Sequence, residues 1–278
     1  MEHLSTHLCF GGEQQQFRHQ SAVLDCEMTF SLYLPPKARD EAVPLMIWLS
    51  GLTCTDQNFV TKAGAQQHAA EHGIAILCPD TSPRGSGVPD DPEGAWDFGQ
   101  GAGFYVNATE PPWSTHYHMY DYVLQELRAL ACDSFPIDRN RMSIAGHSMG
   151  GHGALVMALR NPGIFTCVSA FSPIVSPTNC PWGQKALTAY LGPHQQDWAA
   201  YDSCELVSRA DQVVPMLIDQ GDADEFLRSQ LKVPLLVEAA RLANYPLQLR
   251  MQPGYDHSYF FISTFIGDHI AFHAQHLI

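Results

Sequence analysis

Short apolar runs alternate along the chain with longer segments whose apolar residues recur at helical spacing. The short runs predict strands near Met28–Leu34, Leu45–Ser50, Ile74–Pro79, Met142–Gly146, Val168–Phe171, Met216–Asp219 and Leu247–Met251. The longer segments predict helices near Gly64–Glu71, Met119–Ala131, Met149–Arg160 and Ser258–Leu277. Because strands and helices alternate, the pattern predicts an α/β fold with a mostly parallel central sheet flanked by helices on both faces.

Two long segments interrupt this alternation. Asp80–Pro112 is dense in glycine, proline and aspartate, and Ser172–Gly192 contains Pro173, Pro177 and Pro181. Long irregular loops in a compact domain are often functional, so we expect both segments to form walls of a substrate pocket. The alternative is that they are solvated connections with no part in binding.

The composition is that of one folded domain spanning residues 1–278. The chain is 45% hydrophobic and 16% charged, which is enough for one large core, and no repeat or linker divides it. Its 29 acidic residues outnumber 15 Lys and Arg, and the formal net charge of −14 disfavours nucleic acid and anionic membranes as partners.

Targeting and cysteine patterns indicate a cytoplasmic protein. No apolar run approaches the length of a membrane span, and the first residues lack the basic stretch and apolar core of an export signal. The eight cysteines are scattered without a C-x-x-C pair, which argues against a zinc site and a disulfide framework. A reducing compartment fits these features best.

The strongest chemical motif is the sequence Gly-His-Ser-Met-Gly at residues 146–150. A predicted strand leads into it and a predicted helix follows, which is the context of the G-x-S-x-G nucleophile elbow. The two glycines let strand and helix approach closely, and the strained turn presents the Ser148 hydroxyl at the edge of the sheet. Ser148 is therefore predicted to be a nucleophile rather than an incidental serine in a glycine-rich turn.

A serine nucleophile requires a base and a group that orients the base. The order expected after an elbow is serine, then an acid, then histidine. His257 lies in a turn-rich loop after the last predicted strand and is the base that this pattern favours. An acidic loop upstream offers Asp219, Asp222 and Asp224 as the acid, and the pattern alone does not choose among them.

Three further histidines, His269, His273 and His276, recur along the last predicted helix. We expect them on its solvated side. His269 and His273 have the spacing of a metal-binding pair, but no carboxylate or cysteine completes a recognisable set of ligands, so a metal site is disfavoured.

An oxyanion hole would need a second amide besides that of Met149. The central strand predicted at Leu45–Ser50 ends in Gly51, which frees the backbone to turn, and the amide of Leu52 is then the natural second donor. Such a turn is common in proteins, so on its own it is very weak evidence for an oxyanion hole.

Eight motifs together resemble those of the S-formylglutathione hydrolase family, also called esterase D. They are SGLTC (50–54), PDTSPRG (79–85), GQGAGFY (99–105), GHSMGGHGAL (146–155), SAFSPI (169–174), PWG (181–183), DQG (219–221) and GYDHSY (254–259). The resemblance runs from about His7 to the C-terminus, and several of these motifs are far more specific than the elbow. It departs most at Val88–Trp96, so the contacts between the rim of the pocket and the glutathione peptide are left undetermined.

This resemblance implies the α/β-hydrolase fold and the hydrolysis of S-formylglutathione to glutathione and formate, the thioesterase step of glutathione-dependent formaldehyde detoxification. It also implies side activity on short-chain carboxylesters, no cofactor, no metal and a homodimer. Two alternatives stay open, which are a general short-chain carboxylesterase or acyltransferase on the same fold and, less favoured, a non-catalytic binding module.

The resemblance also assigns residues. It makes Asp224 the acid, gives oxyanion donation to Leu52 and Met149, and places Cys54 and Trp182 near the site. Because the negative net charge does not favour an anionic thiol peptide, the local cations Lys62 and Arg84 are candidates to guide it, or they are ordinary structural side chains.

Overall fold

The computed structural model describes residues 1–277, and a nine-stranded sheet lies at its centre. The strand order is β1-β2-β3-β5-β4-β6-β7-β8-β9. The strands are β1 (Glu2–Cys9), β2 (Gly12–Ser21), β3 (Cys26–Leu34), β4 (Val43–Leu49), β5 (Ala75–Pro79), β6 (Ile137–His147), β7 (Val168–Phe171), β8 (Met216–Gly221) and β9 (Gln248–Gln252).

The sheet is antiparallel at its N-terminal edge and parallel elsewhere. Strands β1, β2, β3 and β5 pair antiparallel, whereas every pairing from β5 through β4 to β9 is parallel. Parallel strands bring their carboxyl ends to one edge of the sheet, so the loops that follow β4, β6, β8 and β9 meet there. The prediction of a mostly parallel sheet is confirmed.

Helices cover both faces of the sheet, as the alternating pattern predicted. They are α1 (Gln57–Lys62), α2 (Ala65–His72), α3 (Met119–Asp121), α4 (Arg128–Ser134), α5 (Met149–Arg160), α6 (Pro181–Leu191), α7 (Gln195–Trp198), α8 (Ser203–Ser208), α9 (Val233–Ala243) and α10 (Tyr259–Leu277). A π-helical segment, Tyr122–Leu127, joins α3 to α4, and a second one, Leu227–Leu231, precedes α9.

The core is divided by the sheet into two layers. In β4, Leu45 and Ile47 face the layer that includes α5, and Met46 and Trp48 face the layer that includes α1, α2 and α10. All four side chains are fully buried. A strand covered on both faces needs apolar residues at every position, which explains the unbroken apolar run.

Several elements depart from the prediction. The hairpin β1–β2 was not predicted, because its sequence is polar and its outer strand is mostly exposed. The segment Ser172–Gly192, expected to be irregular, contains α6. Helix α9 was also unassigned, although Pro234 stands in its first turn, where proline is favoured.

The prediction that the late histidines lie on a solvated helix side was wrong for two of them. His269 and His273 are fully buried, and both rings contact the hydroxyl of Ser169, at 2.9 and 2.8 Å. Their positions continue the helical spacing of the buried Ile262 and Ile266, so they belong to the core stripe of α10.

Among residues 1–277, no helix is both long enough and apolar enough to cross a membrane. All eight cysteines are free thiols.

Candidate active site

Ser148 occupies the turn between β6 and α5 in a strained backbone conformation. Its φ is +58° and its ψ −117°, a region that residues other than glycine rarely adopt. The turn is fixed by the Ser148 amide, which donates to the carbonyl of Phe171 at 3.0 Å, and by the Ser148 carbonyl, which accepts from the amides of His152 and Ile174 at 3.0 and 3.2 Å. These bonds hold the Ser148 side chain at the carboxyl edge of the sheet.

The glycines on either side of the serine are required by close packing. A Cβ atom on Gly146 would lie 2.2 Å from the carbonyl oxygen of Gly150, and one on Gly150 would lie 1.9 Å from that of Leu49. Both contacts are with backbone, which cannot turn away as a side chain can. Close packing of backbone on backbone is thus the physical reason for the two glycines of the motif.

Asp224 and His257 form a hydrogen-bonded pair next to this turn. The Nδ1 of His257 lies 2.6 Å from Oδ2 of Asp224, whose other oxygen accepts from the amide of Phe226 at 2.9 Å. Burial alone would raise the pKa of Asp224, but its hydrogen bond and attraction to His257 outweigh burial, so the pKa is lowered and the carboxylate is ionised. With Nδ1 engaged, Nε2 is the nitrogen of His257 left to exchange a proton.

Gln220 contacts Asp224, and the sequence analysis did not predict this contact. Its buried side-chain amide donates to Oδ2 of Asp224 at 3.3 Å and to the carbonyl of Gly221 at 2.9 Å. The residue stands in the DQG motif, but no pattern in the sequence shows that it reaches an acid four positions later.

The other two aspartates of the acidic loop lie apart from His257. Asp219 is fully buried and pairs with Arg250 through two contacts of 2.6 Å, which with His269 hold its pKa below the ordinary value despite burial. Asp222 is exposed and accepts from the amide of Gly254 at 2.6 Å. Of the three, the structure brings Asp224 to the histidine.

His147 lies directly against the imidazole of His257, with ring centroids 4.4 Å apart. Burial, with repulsion from His257, lowers the pKa of His147 well below its ordinary value. His147 therefore stays neutral and adds no second positive charge beside His257.

The loop after β4 lies beside the serine. A Cβ atom on Gly51 would be 3.2 Å from Cβ of Ser148. Within the described part of the chain, the amides of Leu52 and Met149 donate to no protein acceptor, whereas the amide of Thr53 donates to Gly101 at 2.9 Å. Two amides without acceptors beside one hydroxyl are what an oxyanion hole requires.

Arg84 braces this loop through contacts with Asp80 and Cys54. Its Nε lies 2.9 and 3.0 Å from the carboxylate of the buried Asp80, and its Nη2 donates to the carbonyl of Cys54 at 3.0 Å. The hydroxyl of Thr81 donates to the same carbonyl at 2.5 Å. Arg84 is thus a structural side chain, the second of the two interpretations open for it.

A cavity of about 280 Å³ contains both Ser148 and His257. Its lining is Gly51, Leu52, Thr53, Cys54, Asn58, Lys62, Trp96, His147, Ser148, Trp182, Phe226, His257, Ser258 and Tyr259. Trp96 comes from the Asp80–Pro112 loop and Trp182 from α6, so both interrupting segments contribute side chains to the wall of the cavity that contains Ser148. That substrate binds in this cavity stays a prediction.

Aromatic side chains form one wall of this cavity. The ring of Trp182 packs edge-on against Trp96 and tilted against Phe226, with centroid distances of 5.4 and 4.8 Å. Phe226 in turn packs edge-on against the imidazole of His257 at 5.0 Å. Cys54 lies in the cavity lining, where burial raises the pKa of its thiol although the charge of Lys62 partly offsets this. Both residues that the resemblance placed near the site, Cys54 and Trp182, border the same space as Ser148.

A larger groove of about 740 Å³ lies elsewhere, between the second π-helical segment, α9 and β9. It includes none of Ser148, Asp224 and His257, and its lining is mainly aliphatic. Among residues 1–277, no group of three or more His, Cys, Asp or Glu side chains is placed to hold a metal ion.

The chain is similar to known esterases over nearly its full length. The Esterase family model, described as "Putative esterase", matches residues 21–272. An S-formylglutathione hydrolase of Rattus norvegicus is 52% identical over 279 residues, which cover 100% of this chain and 99% of that protein.

Solved structures agree. An S-formylglutathione hydrolase from Agrobacterium tumefaciens has a TM-score of 0.98 at 50% identity, covering 100% of both chains. The fluorophosphonate-binding serine hydrolase F of Staphylococcus aureus, at 21% identity and a TM-score of 0.76 over 95% of this chain and 98% of that one, shares the fold.

Proposed function

The chain belongs to the S-formylglutathione hydrolase family of esterases, and from that premise we propose that Ser148, His257 and Asp224 hydrolyse S-formylglutathione to glutathione and formate. The protein is a serine hydrolase of the α/β-hydrolase fold, and its role is formaldehyde detoxification. The observation that carries the assignment of residues is the hydrogen-bonded His257–Asp224 pair, which shares one cavity with a serine held in a strained turn.

In the first step, His257 takes the proton of Ser148 as its oxygen attacks the formyl carbon. The negative charge that develops on the carbonyl oxygen is stabilised by the amides of Leu52 and Met149. The C–S bond then breaks, and glutathione leaves as a thiolate that takes the proton from His257. Ser148 now carries the formyl group, and His257 is neutral again. Asp224 orients His257 and stabilises its positive charge throughout.

In the second step, His257 takes a proton from water, and the resulting hydroxide attacks the formyl ester. The intermediate collapses to formic acid as His257 returns its proton to the oxygen of Ser148, and the acid then loses a proton to the solvent to give formate. Because a thiolate leaves readily, positioning and oxyanion stabilisation matter more in the first step than help from an acid.

The substrate comparison that tests this proposal is kcat/KM for S-formylglutathione against p-nitrophenyl formate, acetate and butyrate under one set of conditions. We expect S-formylglutathione to be the best substrate, because binding of the peptide portion places the formyl carbon near Ser148. Among the nitrophenyl esters, we expect formate to be best and butyrate worst, since the cavity of about 280 Å³ also has to hold the leaving group.

A general short-chain carboxylesterase would give the opposite order. Each added methylene would then contribute about 1 kcal/mol until the pocket is filled. A rise from acetate to butyrate, with S-formylglutathione no better than the nitrophenyl esters, would contradict the proposal.

We also propose that the protein works in the cytoplasm as a homodimer, without nucleic acid or membrane partners. Its eight free thiols and its net charge of −14 support the location and the absence of polyanionic partners. Sedimentation equilibrium tests the dimer, and a monomer at micromolar concentration would contradict it.

A further inference from the structure

The cavity that contains Ser148 has a local charge opposite to that of the whole protein. Its lining includes one lysine, Lys62, no arginine, and no aspartate or glutamate. The chain as a whole carries a formal charge of −14. A carboxylate entering this cavity therefore meets one cation and no wall carboxylate, although the protein as a whole is negatively charged.

Lys62 differs from the other cations nearby because it has no acidic partner. Within the described chain, no Asp or Glu oxygen lies within 4.0 Å of its Nζ. Arg84 is occupied by Asp80, and Lys185 lies 2.6 Å from Asp97. Lys62 instead extends over the ring of Tyr259, 5.5 Å from its centroid, and this contact holds the ammonium at the cavity wall.

Asn58 supplies a second donor on the same side of α1. Its Oδ1 accepts from the amide of Thr55 at 2.9 Å, and this bond fixes which end of the side-chain amide is the oxygen. The Nδ2 group, which donates to no acceptor among residues 1–277, is left for a ligand. Residues four positions apart lie on one helix face, so Asn58 and Lys62 form adjacent donors in the cavity lining.

We propose that Asn58 and Lys62 bind a carboxylate of the glutathione portion of the substrate. The inference rests on the proposed function, since it names the group that this site would recognise. The tripeptide carries two carboxylates, and a charged donor beside a neutral one is a common way to hold such a group. The contact lies outside the acyl position, so it selects the leaving group rather than the formyl group.

Three substitutions that each lower the net charge by one separate a local contact from general electrostatics. Lys62→Gln removes the ammonium. Asn58→Asp keeps an oxygen for Thr55 but replaces the amide donor with a carboxylate beside Lys62. Lys232→Gln is the matched control, because Lys232 lines the distant aliphatic groove and has no acidic partner in the described chain.

The first measurement is the ratio of kcat/KM for S-formylglutathione to that for p-nitrophenyl acetate, which carries no carboxylate. We expect Lys62→Gln and Asn58→Asp each to lower this ratio about tenfold or more, mainly through KM, as loss of a charge-assisted hydrogen bond would. Lys232→Gln should leave the ratio within about twofold of wild type, the range of a screened distant charge.

The second measurement is direct binding of glutathione and of its dimethyl ester by titration calorimetry. Wild type should bind glutathione more tightly than the ester, and Lys62→Gln should remove that difference. The inference is overturned if Lys62→Gln changes the ratio no more than Lys232→Gln, or if the ester binds wild type as tightly as glutathione.

The wild-type result separates the two claims. If wild type shows no preference for S-formylglutathione over the nitrophenyl esters, the proposed function fails and the subsite falls with it. If wild type shows the preference and Lys62→Gln retains it, the subsite alone is wrong.

Discussion

Three aspartates within six residues have different properties because their contacts differ. Asp219 is enclosed with Arg250, Asp222 faces solvent, and Asp224 accepts from His257. Only the last arrangement can orient an imidazole toward Ser148. Asp224, the proposed acid, thus differs from its two neighbours by a tertiary contact rather than by anything in the local sequence.

Substituting the three aspartates one by one tests that choice. Asp224→Asn should lower kcat/KM on the order of a thousandfold or more, because His257 loses its orienting partner. Asp222→Asn should stay within a few-fold of wild type. Asp219→Asn should mainly cost stability, about 3 kcal/mol, because it leaves Arg250 without its buried partner. Steady-state kinetics measure kcat/KM, and urea unfolding measures the stability of each variant. An active Asp224→Asn variant beside an inactive Asp222→Asn variant would contradict the assignment of Asp224 as the acid.

At the residue scale, the sequence predicted Ser148 and His257 directly, because a motif and the chain order identify them. It did not separate Asp224 from its neighbours without the family resemblance, since the contact with His257 spans 33 positions. Gln220 was missed although Asp224 is only four positions away, because the hydrogen bond between them depends on how the loop after β8 folds back.

At the element scale, the elbow depends on how closely β6, α5 and β4 pack. Gly150→Ala would place a Cβ 1.9 Å from the Leu49 carbonyl oxygen, and neither element can shift without disturbing the sheet. We expect it to lower the unfolding free energy by about 3 kcal/mol or more, or to prevent folding.

Gly163→Ala is the matched control for that substitution. An added Cβ at Gly163 meets nothing within 4 Å, and we expect a change within about 0.5 kcal/mol. Thermal unfolding of both variants measures the difference. Equal melting temperatures would show that close packing at Gly150 does not matter.

Elements were predicted where one periodicity dominates their sequence. Strand β7 was predicted with the bounds the structure has, because three of its four residues, Val168, Ala170 and Phe171, are apolar. The hairpin β1–β2 lies at the sheet edge and lacks that pattern, and α6 was obscured by the prolines that precede it. In α10, the histidines were predicted to be exposed because they are polar, but His269 and His273 lie on the buried side of the helix.

At the scale of the whole molecule, buried neutral histidines link folding to pH. Burial lowers the pKa of His152 to about 4 and that of His273 to about 3. Between about pH 6.5 and these values, the unfolded chain binds protons that the native protein does not. Stability therefore rises with pH across this window and falls as the solution is acidified, by about 1.4 kcal/mol per pH unit for each such histidine.

His273→Gln tests this linkage. The variant should be less stable than wild type at pH 7, because it disturbs the bond to Ser169, but its stability should fall less steeply from pH 6.5 to 4.5. His7→Gln, at an exposed position, is the control and should keep the wild-type slope. Urea unfolding at several pH values gives the slopes, and identical slopes for His273→Gln and wild type would contradict the prediction.

The central claim is that Ser148 carries the formyl group during turnover of S-formylglutathione. Its most direct test is the turnover number of Ser148→Ala with that thioester, alongside its melting temperature and its affinity for glutathione. We predict a loss of about three orders of magnitude or more, with the fold and glutathione binding retained. A folded Ser148→Ala protein that keeps more than about a tenth of wild-type turnover would contradict the account, because a loss that small is far below the cost of removing a nucleophile.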